Sequence, residues 1–135
     1  PAFVRILKRI DLNLEAEYVQ LLKMDSTDMT NEHRDAIKNA CVGADSDKII
    51  ITHGTDAMVR TAEHLAGIKD KVVILTGSMV PECVKGSDAE FNLGVAVGAV
   101  GLLPNGVYVA MSGRVYKWNE CEKSEECVFV EKKKV

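Results

Sequence analysis

Asp47-Lys48-Ile49-Ile50-Ile51-Thr52-His53-Gly54-Thr55-Asp56-Ala57-Met58 decides the fold. Three consecutive β-branched residues, Ile49 to Ile51, read as a short strand buried on both faces, as inside a parallel sheet. The polarity then changes abruptly. Two hydroxyls, an imidazole and a carboxylate follow the strand's carboxyl end, and Met58 to Leu65 resume at helical spacing. In an open α/β sheet, ligands bind in the crevice beyond the carboxyl ends of the strands. Gly54 allows close approach of a ligand, and Thr55 or Asp56 is expected to cap the helix. Thr, Asp and Gly are also the ordinary residues of a strand-to-helix turn, so this stretch alone does not establish a site.

Outward from there the pattern repeats. A helix is expected over residues 57–66, with Met58, Ala62, Leu65 and Ala66 inward and Gly67 ending it. Lys71 to Leu75 reads as a second buried strand, followed by Thr76-Gly77-Ser78-Met79-Val80-Pro81. Two successive strands that end in hydroxyl-rich turns are expected to be parallel neighbours, so both turns face one crevice. A loop to Ser87 leads into a helix over 88–103. Its Gly94, Gly98 and Gly101 suggest close packing on the sheet or on a partner chain. Val107 to Met111 is a third buried strand, and Val128 to Val130 a short last one.

Upstream, residues 1–10 have helical spacing, with Pro1 suited to a first turn, and 11–13 break it. A weak alternation from Leu14 suggests a strand reaching about Met24. Thr30 starts a helix with Ile37, Ala40, Cys41 and Ala44 on its apolar face and Gly43 as a C-cap. These elements give one α/β domain over 1–135: three layers, a mostly parallel sheet, helices on both faces.

Composition excludes several classes. A net charge of −3 argues against nucleic-acid binding, and the lysines at 132–134 read as a solvated tail. The longest mostly apolar stretch, Leu93 to Leu103, is too short and Gly-rich to span a membrane. Cys41, Cys83, Cys121 and Cys127 form no C-x-x-C pair and no zinc pattern with His33, His53 and His64. No metal or cofactor is expected, and reduced thiols in the cytoplasm are the simple inference. No strand is followed by a G-x-G-x-x-G or P-loop pattern, which disfavours a nucleotide-binding sheet.

A threonine hydroxyl needs a base to become a nucleophile. Lys123, Lys85 and Lys117 are the candidate lysines, and backbone N–H groups after Thr55 are candidate oxyanion donors. Such a set suits acyl transfer from an amide, one chemistry among several that the residues allow.

The motifs narrow it. His53-Gly54-Thr55-Asp56-Ala57-Met58 resembles the H-G-T-D-T-M signature of the asparaginase/glutaminase family. Asp25-Ser26-Thr27-Asp28-Met29-Thr30 resembles its D-S-S-D-M-T loop, and Val73 to Pro81 its V-x-L-T-G-[AS]-M-x-P segment. Ser87-Asp88 through Asn92-Leu93 resembles the S-D-G-x-x-N-L that follows. The resemblance runs from about Leu22 to Lys123. It implies Thr55, Asp56 and Lys123 as catalytic residues, with Asp56 also binding the substrate's α-amino group. It implies Ser26 for the α-carboxylate, a Ser78 backbone contact to the amide, and Thr27 and Gly54 lining the site. The implied reaction is hydrolysis of asparagine, or a related amide, by a homo-oligomer. Glu120, Cys121 and Glu122 depart from the small or hydroxyl residues that the family favours before the lysine. The family's T-G-G-T-I strand, which carries the primary nucleophile, and its second domain have no counterpart here. About two dozen N-terminal residues are therefore expected to be missing, and the chain alone is expected to be inactive. A non-catalytic amino-acid-binding module and an amidotransferase subunit are the alternatives on the same fold.

Overall fold

A computed structural model describes residues 2–10 and 13–133. Pro1, residues 11 and 12, the last of the three tail lysines and Val135 lie outside that range.

The central sheet has four strands in the order β1 (Lys48–Thr52), β2 (Val72–Thr76), β3 (Gly106–Met111), β4 (Arg114–Lys117). β1, β2 and β3 are parallel, with Thr52 level with Thr76 and Thr76 with Ala110. The two hydroxyl-rich turns therefore leave the sheet side by side, as expected from the sequence. β4 returns antiparallel through Ser112 and Gly113, both at positive φ (56° and 75°), a tight hairpin that the sequence reading did not resolve.

Helices cover both faces. α1 spans Ala2–Ile10, α2 Asn31–Gly43, α3 Met58–Leu65 and α4 Ala89–Val100. The period of two along β2 sends Val73 and Leu75 into a core with Ile37 and Cys41 of α2 and Met58, Ala62 and Leu65 of α3. Val72 and Ile74 point the other way, into a second core with Ala96 of α4, Tyr108 and Ala110. Each such fully buried aliphatic side chain contributes about 1.5–3 kcal/mol, enough to set which face each helix covers.

Five expectations need correction. No strand forms between Leu14 and Met24; residues 14–21 are exposed chain, because the weak alternation finds no neighbouring strand to pair with. β1 is only half-buried, since it is an edge strand and β2, buried throughout, takes the interior position. α3 is capped by neither Thr55 nor Asp56: its first turn begins after Ala57, which makes no side-chain cap. Gly43 closes α2 from inside the helix, and Ala44 follows it in extended conformation. Gly94 and Gly98 meet nothing within 4 Å, so α4 does not use them to approach the sheet. The cap of α2 is as read: Thr30 and His33 satisfy one another's backbone N–H groups.

Beyond β4 a small two-stranded sheet forms from β5 (Cys121–Lys123) and β6 (Phe129–Glu131). Cys121 and Phe129, 2% and 3% exposed, anchor it in the first core. This hairpin positions Lys123.

Candidate active site

β1 delivers His53, Gly54 and Thr55 to the carboxyl edge, and the turn is tied down on every side. The His53 N–H donates to the Thr76 carbonyl at 2.9 Å, which joins the first turn to the second. Ser26 is 4% exposed and packs so tightly on Gly54 that a Cβ there would lie 2.7 Å from its Oγ. Its Oγ accepts the Ala57 N–H at 3.3 Å. That N–H, a candidate oxyanion donor, is thus already engaged. The Ser26 turn is a single 3-10 turn, Ser26–Asp28, capped by Asp25, which accepts from the Thr27 N–H and hydroxyl at 3.0 and 2.9 Å. Thr27 is exposed and turned toward Asp25.

Lys123 arrives from the small sheet, 67 residues along the chain from Asp56. Alternation along β5 sends Cys121 into the core and Glu122 to solvent, and returns Lys123 to the core side. Its Nζ donates to Thr55 Oγ1 at 3.0 Å and to Asp56 Oδ1 at 2.5 Å. The lysine side chain is 19% exposed and the aspartate 60%, so the cluster opens to solvent on the Asp56 side. Because Asp56 is not spent as a helix cap, its carboxylate is free to meet the lysine. The other two candidate lysines are elsewhere. Lys85 borders a separate surface cavity beside Arg9 and Glu82, and Lys117 pairs across from Tyr108 on β4. Burial, with the nearby Glu120 charge, pushes the Cys121 thiol up to about 11, which leaves it a neutral anchor behind Lys123.

The second turn is held by residues that sequence reasoning assigned only to a helix start and a motif. Asp88 accepts the Met79 and Val80 N–H groups at 3.0 Å. Asn92 donates to the Gly77 carbonyl and to Asp88, both at 2.9 Å. These bonds place Ser78 at the wall of a cavity of about 400 Å³ that Thr52, His53, Gly54 and Thr76 also line. Phe3 and Ile6 of α1 line it as well. The cavity borders Gly54 but does not include Thr55, Asp56 or Lys123, so the charged cluster and the cavity flank the same turn.

Burial disfavours ionised Asp88, but the backbone N–H bonds from Met79 and Val80 and the Asn92 amide outweigh it and lower the Asp88 pKa. A lowered carboxylate pKa in the folded state contributes stability that is present above the unfolded value and lost as pH falls through the folded one. Asp88→Ala is therefore expected to cost about 2 kcal/mol at pH 7, the loss of charge-assisted bonds. The difference from the parent should shrink below about pH 4, the unfolded carboxylate value. Urea unfolding at pH 7 and pH 3 measures both; equal differences at the two pH values would show that the carboxylate charge is not what holds the turn.

A family model described as asparaginase, N-terminal, matches residues 2–129. The chain is 36% identical over 114 residues to L-asparaginase 1 of Escherichia coli K12, covering 80% of this chain and 33% of that protein. It is 37% identical over 112 residues to a probable periplasmic L-asparaginase of Haemophilus influenzae, covering 76% and 31%. Over 84 residues it is 36% identical to a glutaminase-asparaginase of Pseudomonas fluorescens, covering 58% and 23%. The chain thus spans about a third or less of the length of these relatives.

Proposed function

This chain belongs to the asparaginase family, and on that premise we propose that it forms part of an amidohydrolase that releases ammonia from the side-chain amide of asparagine or a related amide. One observation carries the reading: Lys123 Nζ lies 3.0 Å from Thr55 Oγ1 and 2.5 Å from Asp56 Oδ1. A lysine on a threonine hydroxyl, with a carboxylate that orients it, is a set that can move a proton to and from a nucleophile. Asp56, with its solvent-facing side, suits the substrate's α-ammonium group. That group competes with Lys123 for the carboxylate, so substrate arrival loosens the lysine's second contact and leaves its contact to Thr55. Ser78 lines the cavity beside Gly54, where a short amino-acid amide can reach it, and Ser26, buried against Gly54, supports the same turn from behind. The net reaction adds water across the amide C–N bond and gives the carboxylate and ammonium.

The proposal extends to a homo-oligomer. Phe91, Gly94 and Gly98 follow one another at helical spacing along the outer side of α4, Leu102 follows in the turn after it, and Phe91 and Leu102 are 63% and 85% exposed. A cytoplasmic location rests on the cysteine spacing alone, and the periplasmic name of the H. influenzae relative weighs against extending it.

Ammonia release from L-asparagine and L-glutamine, measured on the native protein at its full intact mass, tests the reading. Turnover of either amide with aspartate or glutamate as product is the expected result. Aspartate binding without any ammonia release overturns it in favour of an amino-acid-binding module.

A further inference from the structure

Among the described residues Arg34 is the largest of the side chains that are almost completely buried, at 2% exposure. A buried guanidinium is normally paired with a carboxylate. Arg34 has none within salt-bridge distance among the described residues; its bonds go to Thr61 Oγ1 from Nε at 3.2 Å and to Asn31 Oδ1 from Nη1 at 3.4 Å. Thr61 is itself completely buried. Its Oγ1 lies 2.9 Å from His53 Nε2, and His53 Nδ1 lies 2.7 Å from the Gly54 carbonyl oxygen.

The Gly54 carbonyl at one end and a neutral His53 ring together fix the hydrogens between them. Arginine only donates, so Thr61 Oγ1 accepts from it. A carbonyl only accepts, so His53 Nδ1 must carry its hydrogen. Burial lowers the His53 pKa; the Gly54 bond opposes this and the Arg34 charge adds to it, which suits a neutral ring. A neutral ring with its hydrogen on Nδ1 has a bare Nε2, which accepts the Thr61 hydroxyl hydrogen. Met29 Sδ, at 3.7 Å from Thr61 Oγ1, is the weaker competing acceptor.

We propose that Arg34, Thr61 and His53 are positioning residues for Thr55. They form a one-way hydrogen-bond chain, Arg34 Nε–H to Thr61, Thr61 O–H to His53 Nε2 and His53 Nδ1–H to the Gly54 carbonyl, which sets the Gly54–Thr55 peptide plane. In a trans peptide the N–H lies opposite the C=O. Holding the Gly54 carbonyl on the imidazole therefore turns the Thr55 N–H away from it and fixes the backbone that presents Thr55 to Lys123. The carbonyl at the tail gives the chain its direction: it commits His53 Nδ1 as a donor, so the neutral ring offers Thr61 only the lone pair on Nε2. The effect on rate rests on the reading of Thr55 given under Proposed function; the hydrogen-bond chain itself does not.

Two measurements on the same protein separate those claims. Long-range ¹H–¹⁵N correlation of the histidine rings should show His53 with a protonated Nδ1 and a bare, hydrogen-bonded Nε2. In Thr61→Val the Nε2 resonance should move to the position of an unbonded ring nitrogen, and the Thr55 amide resonance should shift with it. Ammonia release in that variant should fall about ten-fold in kcat, the loss of roughly one hydrogen bond's worth of positioning, with KM within about two-fold of the parent. Thr61→Ser should restore all three readouts. A proton on His53 Nε2 in the unmodified protein overturns the chain, and needs no variant to fold. So does a Thr61→Val protein with unmoved His53 and Thr55 resonances. If no ammonia is released by the parent, the amidohydrolase reading fails while the resonances still decide the chain.

Discussion

On the function proposed above, Lys123→Met in the native protein at its full intact mass should abolish turnover while the fold stays intact. The loss expected for removing a positioned general base is about a thousand-fold in kcat, within the span that such groups contribute. Thr55→Ala should lose at least as much, and the double variant little more than either single one, because the two groups act as a unit. Methionine keeps the apolar stem and removes only the donor, so the packing beside α3 is preserved. Stability should change little. The Lys123–Asp56 pair is 2.5 Å long, but Asp56 is 60% exposed and keeps its water when the lysine is gone. The separation of the two effects gives the test its force. A kcat that falls about a thousand-fold with an unfolding midpoint within a few degrees assigns Lys123 to the chemistry. A variant that keeps more than about a tenth of the parent rate shows that the lysine only buttresses the turn.

Lys123 shows what the sequence carries. Residue chemistry left three lysines equal, and the motif resemblance chose among them. What places Lys123 at Thr55 is the pairing of β5 with β6 and the burial of Cys121 and Phe129. Both are contacts between distant parts of the chain, which no local period reports. Strand existence was legible for β1, β2 and β3 because an unbroken β-branched run is a local signal. Which strand stands at the edge was not, since sheet order is a property of the whole fold; hence β1 is half-buried where full burial was expected. The alternation from Leu14 failed for the complementary reason: a pattern of period two forms a strand only where another strand offers its edge. Arg34 lies three and seven residues before Ile37 and Cys41, on the same buried side of α2. Its charge hid it, because a helix face is read by its apolar members. The site was therefore legible as a set of turns, and illegible in the buried polar contacts that hold those turns still.

The same small substitution should have opposite signs at two glycines. At Gly77 a Cβ would sit 2.2 Å from the His53 carbonyl oxygen and 3.0 Å from the Met58 methyl. The first of these is backbone, and neither side can yield cheaply. The His53 N–H is bonded to the Thr76 carbonyl, the Gly77 carbonyl is held by Asn92, and Met58 is completely buried. Gly77→Ala is therefore expected to cost about 3 kcal/mol, the upper end of overpacking. Whatever native protein remains should lose about a hundred-fold in rate, because a shift of about 1 Å in the turn misplaces the groups on it. Gly94 offers the contrast. It lies inside α4 with open space around it, so Gly94→Ala meets nothing and gains helix propensity, a stabilisation of up to about 1 kcal/mol. Urea unfolding at constant m-value compares the two directly. A Gly77→Ala midpoint equal to the parent would mean that the two turns are not locked together. The shared crevice would then be held by its side chains, and the coupling of His53 to Thr76 would carry no weight in placing Thr55.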